Sequence, residues 1–289
     1  MIKTLLVPTS GSSTDDRVFA TALAAARPLA AHLAFYHLRV TPAESAARAP
    51  HVEFSMGPAL ADALRNLSDE EKSLSTVARL HVMRFCESNG VAIRNDPGPS
   101  DAVTASFLEE IDHAARRLLL HSRHNDLVVV GRAQHADFMP RALIEDLLIG
   151  SGRPILIAPD AAARDLTGTI VVGWKETPEA ARALAASLPL LARARRVVLV
   201  GIAEEGNAMP QTLGHLIEQL RWHGISAESQ LITGKAQTAA VQLPLAALSL
   251  GAGLLVVGGF GRGPLRELVF GGVTQSLIEQ ADLPVLMMH

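Results

Sequence analysis

The sequence predicts an α/β protein made of two tandem doubly wound domains, and three observations carry that prediction. Short apolar runs alternate with longer Ala/Leu/Arg-rich stretches of helical spacing along all 289 residues. The runs are rich in Val, Ile and Leu with little polar alternation, the pattern of parallel strands covered on both faces. The order of runs in the first half recurs in the second, over a length far greater than the roughly 20–50 residues of a solenoid unit.

Strands are expected over 3–8, 33–39, 91–95, 126–130 and 154–158, and again over 169–173, 197–203, 226–232, 253–257 and 284–288. Helical spacing covers 14–31, 70–89, 100–123 and 140–149, then 177–194, 208–223, 236–250 and 272–281. Strand–helix alternation of this kind gives right-handed βαβ units and a mainly parallel sheet with helices on both faces. Each half opens on a buried strand (Leu5-Leu6-Val7; Ile170-Val171-Val172). Each has a late strand running into glycine (Val128-Val129-Val130-Gly131; Leu255-Val256-Val257-Gly258) and closes on a proline-led strand (Pro154-Ile155-Leu156-Ile157; Pro284-Val285-Leu286-Met287). The expected domains are 1–160 and 166–289, joined through Pro159 to Asp165.

The halves differ in two places. The first carries extra chain near 41–75, where Pro42, Pro50, Gly57 and Pro58 interrupt regular structure; this reads as a loop plus a lengthened helix, for packing or as a lid. From Gly131 to Pro154 is 23 positions, whereas from Gly258 to Pro284 is 26. The shortfall falls where the second half holds its glycines.

Hydrophobic residues make up 48% and charged residues 19%, which excludes a disordered chain. A net charge of −3 without a basic block gives nucleic acid little to bind. The single cysteine, Cys86, excludes an internal disulfide and reads as a small core residue. No secretory leader and no run of about 18 apolar residues is visible, so a soluble, cytoplasmic protein is expected.

The informative stretch runs from Gly258 to Thr274. It leaves the carboxyl end of a strand, where ligands bind in open α/β sheets, and enters a helix near Gly272. Glycines let backbone N–H groups approach an anion, and a helix start adds unpaired donors and partial positive charge. Arg262 and Arg266 can add charge and Thr274 a hydroxyl, so the chemistry points to phosphate. Tight strand–helix packing alone also produces such loops, and that alternative stays open here.

The spacing Gly258-x2-Gly261-x9-Gly271-Gly272-Val273-Thr274 resembles the nucleotide loop G-x2-G-x9-G-[S/T] of universal stress proteins. Asp282-Leu283-Pro284-Val285-Leu286 resembles that family's closing strand, and Trp174-Lys175-Glu176-Thr177-Pro178-Glu179-Ala180 its first loop. The resemblance implies a five-stranded parallel sheet in each half, pairing through the last strands (154–158 against 284–288) and an adenine nucleotide. That ligand would be ATP with Mg²⁺, in the second half, near Trp174, Lys175, Thr177, Gly258, Gly261, Arg262, Gly271, Gly272, Val273 and Thr274. A regulatory, stress-protective role follows, and two chains could still associate as a homodimer. The alternative is a scaffold that binds no nucleotide, or a stress protein that binds a small apolar ligand.

The departures from the family pattern are specific. Its first-loop Asp is Ser10 in the first half and Lys175 in the second, so a carboxylate for ribose or metal is missing from both. Lys175 either meets phosphate charge or points into solvent. Gly272 replaces the loop hydroxyl. In the first half the stretch Gly131 to Arg141 keeps only one glycine, and no nucleotide is expected there. Ser10 to Ser13 are expected to cap the first helix. His121 and His124 share a helical spacing but lack a zinc-site pattern, so no metal site is expected. No nucleophile–base pair, Gly-x-Ser-x-Gly elbow or P-loop appears, which leaves slow ATP hydrolysis as the most that is expected. Thr9 to Asp15 imitates only poorly the S-G-G-x-D-S loop of enzymes that cleave ATP to AMP.

Overall fold

The structure is a computed structural model and describes residues 1–39, 58–111, 114–132, 141–160, 165–203, 209–233, 239–259, 272–280 and 282–289. The first half contains β1 (Thr4–Pro8), α1 (Asp15–Ala26), a 3-10 turn (Arg27–Leu29), β2 (His32–Arg39), α2 (Pro58–Asn89), β3 (Ala92–Ile93), β4 (Thr104–Ile111), α3 (Ala114–Arg123), β5 (Leu127–Val130), α4 (Arg141–Gly150) and β6 (Ile155–Ile157). The second half contains β7 (Thr169–Trp174), α5 (Pro178–Leu191), β8 (Arg196–Ala203), α6 (Met209–Trp222), β9 (Ala227–Thr233), α7 (Ala239–Ser249), β10 (Leu254–Gly258), α8 (Gly272–Gln280) and β11 (Val285–Met288).

All eleven strands form one sheet in the order β3-β4-β2-β1-β5-β6-β11-β10-β7-β8-β9. Within each half the strands are parallel, and the order turns back at the first strand, between β1 and β5 and between β7 and β10. The halves meet at an antiparallel seam, β6 against β11, with Leu156 opposite Leu286. The carboxyl edge of one half therefore lies beside the amino edge of the other. The closing-strand pairing expected from the sequence is made inside one chain, and neither strand is left as an open edge.

Burial explains the strand composition. Leu5, Leu127, Val128, Leu156, Leu254, Leu255, Val285 and Leu286 are fully buried because helices cover both sheet faces. One face packs α1, α2, α5 and α6 through Phe19, Val82, Leu184 and Leu213. The other packs α3, α4, α7 and α8 through Leu118, Ile144, Leu243 and Ile278. Each fully buried Leu or Val contributes about 1.5–3 kcal/mol. Among the described residues, no helix is long and apolar enough to cross a membrane.

Two differences from the sequence reading stand out. Residues 104–111 form β4, not the first part of a helix over 100–123, so the first half has six strands, not five. Leu108, Glu109 and Glu110 favour helix locally. Pairing overrides them: β4 lies in register with all of β2, from His32 opposite Thr104 to Arg39 opposite Ile111. Cross-strand side chains fix that register, with His32 Nδ1 and Nε2 each 2.8 Å from the Thr104 and Ser106 hydroxyls and Arg39 donating to Glu109 at 3.2 Å. The second difference is α2, which starts at Pro58 and runs for 32 residues, about 48 Å. The rest of the extra chain, residues 40–57, lies outside the described residues.

Candidate functional site

The crevice at the carboxyl edge between β7 and β10 is where this topology places a ligand. Val257 pairs with Gly173 there, so Trp174 and Gly258 end adjacent strands. Thr177 is the N-cap of α5; its hydroxyl accepts from the Ala180 amide at 3.3 Å, and Pro178 follows in the first turn. Trp174 is buried in the core and its Nε1–H donates to Glu176 at 3.3 Å. Lys175 is exposed and makes no ion pair among the described residues.

Gly258 has a packing reason to be glycine. A Cβ there would stand 2.5 Å from the Ala180 nitrogen and 2.7 Å from the Glu179 carbonyl carbon, inside the first turn of α5. The strand end thus lies directly against a helix start and its partial positive charge, although the Ala180 amide is already taken by Thr177 and Pro178 has no N–H to offer. Gly259 continues the close fit: its amide donates to the Met288 carbonyl at 2.8 Å, and a Cβ would meet Leu148 Cδ2 at 2.8 Å. Helix α8 begins at Gly272, as expected, with Val273 and Thr274 in its first turn. Gly261, Arg262 and Gly271 lie outside the described residues.

The corresponding crevice of the first half is built differently. The Asp15 carboxylate, buried at the start of α1, accepts from the Ser10 and Gly11 amides at 3.0 and 2.8 Å and from the Thr9 hydroxyl at 2.6 Å. The loop amides that could hold an external anion hold this carboxylate instead. The sequence reading missed Asp15; its signal is an acid four to six residues after a Thr-Ser-Gly turn. The expected serine caps are not made: Thr14 is the N-cap and its side chain bonds no helix amide. Helix α2 lies over the loop, and a Cβ on Gly11, at φ 82°, would meet the Leu74 carbonyl at 2.8 Å. A cavity lined by Asp15, Arg17, Gly131, Arg132 and Asp160 is about 40 Å³, room for only a few waters.

Arg132, buried beside Gly131, reaches Asp160 and, across the seam, Asp282, each at 3.1 Å. Of the loop to Arg141, only Gly131, Arg132 and Arg141 are described.

Other titratable groups serve the fold. Glu110 accepts from the Tyr36 hydroxyl at 3.1 Å and lies 3.1 Å from His121 Nε2. Burial opposes its ionisation, yet these bonds and the charges of His121 and Arg117 hold its carboxyl below the ordinary value. Cys86 is buried, and that burial pushes its thiol up to about 11, an inert core thiol. Among the described residues no three His, Cys, Asp or Glu side chains cluster as metal ligands.

Residues 167–289 match the model of the universal stress protein family. No curated protein matches the chain. Among solved structures, the chain is similar to a universal stress protein from Archaeoglobus fulgidus DSM 4304, at 14% identity and TM-score 0.71, covering 99% of this chain and 95% of that one. It is also similar to a functionally unknown protein from Pseudomonas aeruginosa PAO1, at 14% identity and TM-score 0.56, covering 99% and 92%. At these identities the structural likeness shows the fold, over the length of both halves.

Proposed function

We propose, since residues 167–289 match the universal stress protein model and the whole chain has the fold of such a protein, that this protein binds an adenine nucleotide, ATP, in its second half and acts as a regulatory stress protein. The observation that carries the reading is the crevice between β7 and β10. Gly258 lies against the first turn of α5 there, and α8 starts at Gly272 in the half that keeps the glycine spacing. These parts suit an anionic group: the first-turn amides of α8, the positive end of α5 and the exposed Lys175 cation.

Lys175 stands where the family carries an acid, so nucleotide charge is met by a protein cation more than by a carboxylate-held Mg²⁺. The regulatory output is a difference in partner affinity between the loaded and empty forms. The reading takes 1–160 and 166–289 as the domains, a cytoplasmic setting, and neither nucleic acid nor membrane as partner.

A second reading, a scaffold that binds no nucleotide, draws support from Thr177 and Trp174. The hydroxyl of the first caps its own helix and the indole of the second is bonded to Glu176. The test is calorimetric titration with ATP, together with analysis of nucleotide released on denaturation. About one ATP per chain, lost in Gly261→Asp and Gly271→Asp, is the expected outcome; no heat with any adenine nucleotide overturns the proposal in favour of the scaffold.

A further inference from the structure

Helix α4 belongs to the first half, yet it touches the second half on both sides of the stretch 260–271. Where the chain enters that stretch, Leu148 packs on Gly259 so closely that a Cβ would come within 2.8 Å of its Cδ2. Past its exit, in the last turn of α8, Glu279 accepts from Arg141 Nη1 at 3.0 Å. Leu148 is buried at 2% exposure, whereas Arg141 and Glu279 are partly exposed. The antiparallel seam explains how one helix reaches both places, since it sets the amino end of each half beside the carboxyl end of the other.

Glu279 is tied further within α8 by Gln275 Nε2 at 3.3 Å, so the grip on Arg141 bears on the helix and not on one side chain. Beyond α8, Arg132 of the first half holds Asp282 at 3.1 Å, just before β11 begins. The chain from Gly272 to Val285 is therefore fixed from the other half at two charged points.

We propose that α4 is a positioning element for the nucleotide site of the other half: Leu148 sets where the glycine stretch begins, and Arg141 sets the placement of the helix that follows it. This rests on the nucleotide reading given above and adds regulation of that site by the half that does not bind. Leu148 and Arg141 are positioning residues; neither touches ligand. Anything that shifts α4 along the seam changes affinity at the glycine stretch, because α8 carries its first-turn amides with it.

The test compares Arg141→Ala, Glu279→Gln and Leu148→Ala with the wild-type full chain by two readouts. Hydrogen exchange reports on amides 272–280, with amides 178–191 of α5 as the internal reference, and calorimetry reports ATP affinity. The expected result is faster exchange in α8 alone and affinity about fivefold weaker, with the Arg141→Ala/Glu279→Gln double variant no worse than Arg141→Ala alone, which also loses the 2.9 Å bridge to Glu145. Lower melting temperature with uniform exchange and unchanged affinity would assign these residues to stability alone and overturn the proposal. Because Leu148→Ala opens a core position, the partly exposed Arg141→Ala and Glu279→Gln pair decides if that variant unfolds. Should the wild type take up no ATP, the ligand reading fails by itself, and the exchange readout still decides whether α4 positions α8.

Discussion

After β1 the chain turns its amides onto a carboxylate of its own; after β7 it does not. In the first half Asp15 accepts from Ser10, Gly11 and Thr9, and α2 lies across Gly11. In the second half the loop from Trp174 to Thr177 ends in a capped helix, with Lys175 exposed. Apart from edge strand β3 and the length of α2, strand order and helix placement are shared, so the difference at the crevice lies in the loop and the helix over it. One half fills its crevice with an internal anion and a long helix; the other keeps a capped helix start and an exposed cation there. Topology sets where a ligand would bind, and a few side chains decide whether room and charge remain.

The comparison can be broken most sharply at Asp15. Asp15→Ala removes the acceptor of two amides and two hydroxyls, those of Thr9 and Ser10, and should cost about 3 kcal/mol in denaturant unfolding. The same variant should gain more thermal stability from inorganic phosphate, at matched ionic strength, than the wild type does. If phosphate helps both equally, Asp15 is not standing in for an external anion. A smaller effect is expected at the paired strand-end glycines. Gly258→Ala drives a Cβ into the backbone of α5 and should cost about 2 kcal/mol, whereas Gly131→Ala meets only Val18 Cγ2 at 3.3 Å and should cost under about 1 kcal/mol. Equal losses on thermal unfolding would erase the claimed difference in strand–helix approach.

The smallest effect is acid sensitivity on the first-half side. Glu110 is held below its ordinary value of 4.5, so its contribution is present above that pH and is lost as pH falls through the lower folded value. Glu110→Gln should therefore lose stability at neutral pH, and the gap to wild type should close in acid. A gap that stays constant with pH would show that the ionised form is not what Tyr36 and His121 hold.

Much of this architecture is legible in the sequence because buried parallel strands need continuous Val, Ile and Leu runs, and Leu254 to Val257 or Leu127 to Val130 can be little else. The seam was expected only through the family resemblance, which implied pairing of the last strands. Most of what escaped depended on partners distant in sequence, and the rest on a loop folding back on itself. β4 reads as helix until His32, Tyr36 and Arg39 are set beside Thr104, Glu110 and Glu109. Asp15 reads as an ordinary first-turn acid until the loop folds back on it. The reach of α4 to Gly259 and Glu279 has no local signature, since it follows from the seam. Trp174, Thr177 and Gly258 were picked out by their likeness to a motif, yet their roles as core residue, cap and close-packing point could not be read from spacing.

The β6–β11 seam has a consequence for stoichiometry. Two identical subunits joined this way would separate on dilution and carry two copies of every loop. With both partners on one polypeptide, encounter is unimolecular and independent of protein concentration. A Lys175-bearing crevice is always matched to an Asp15-bearing one, at a ratio that neither expression level nor exchange of subunits can alter.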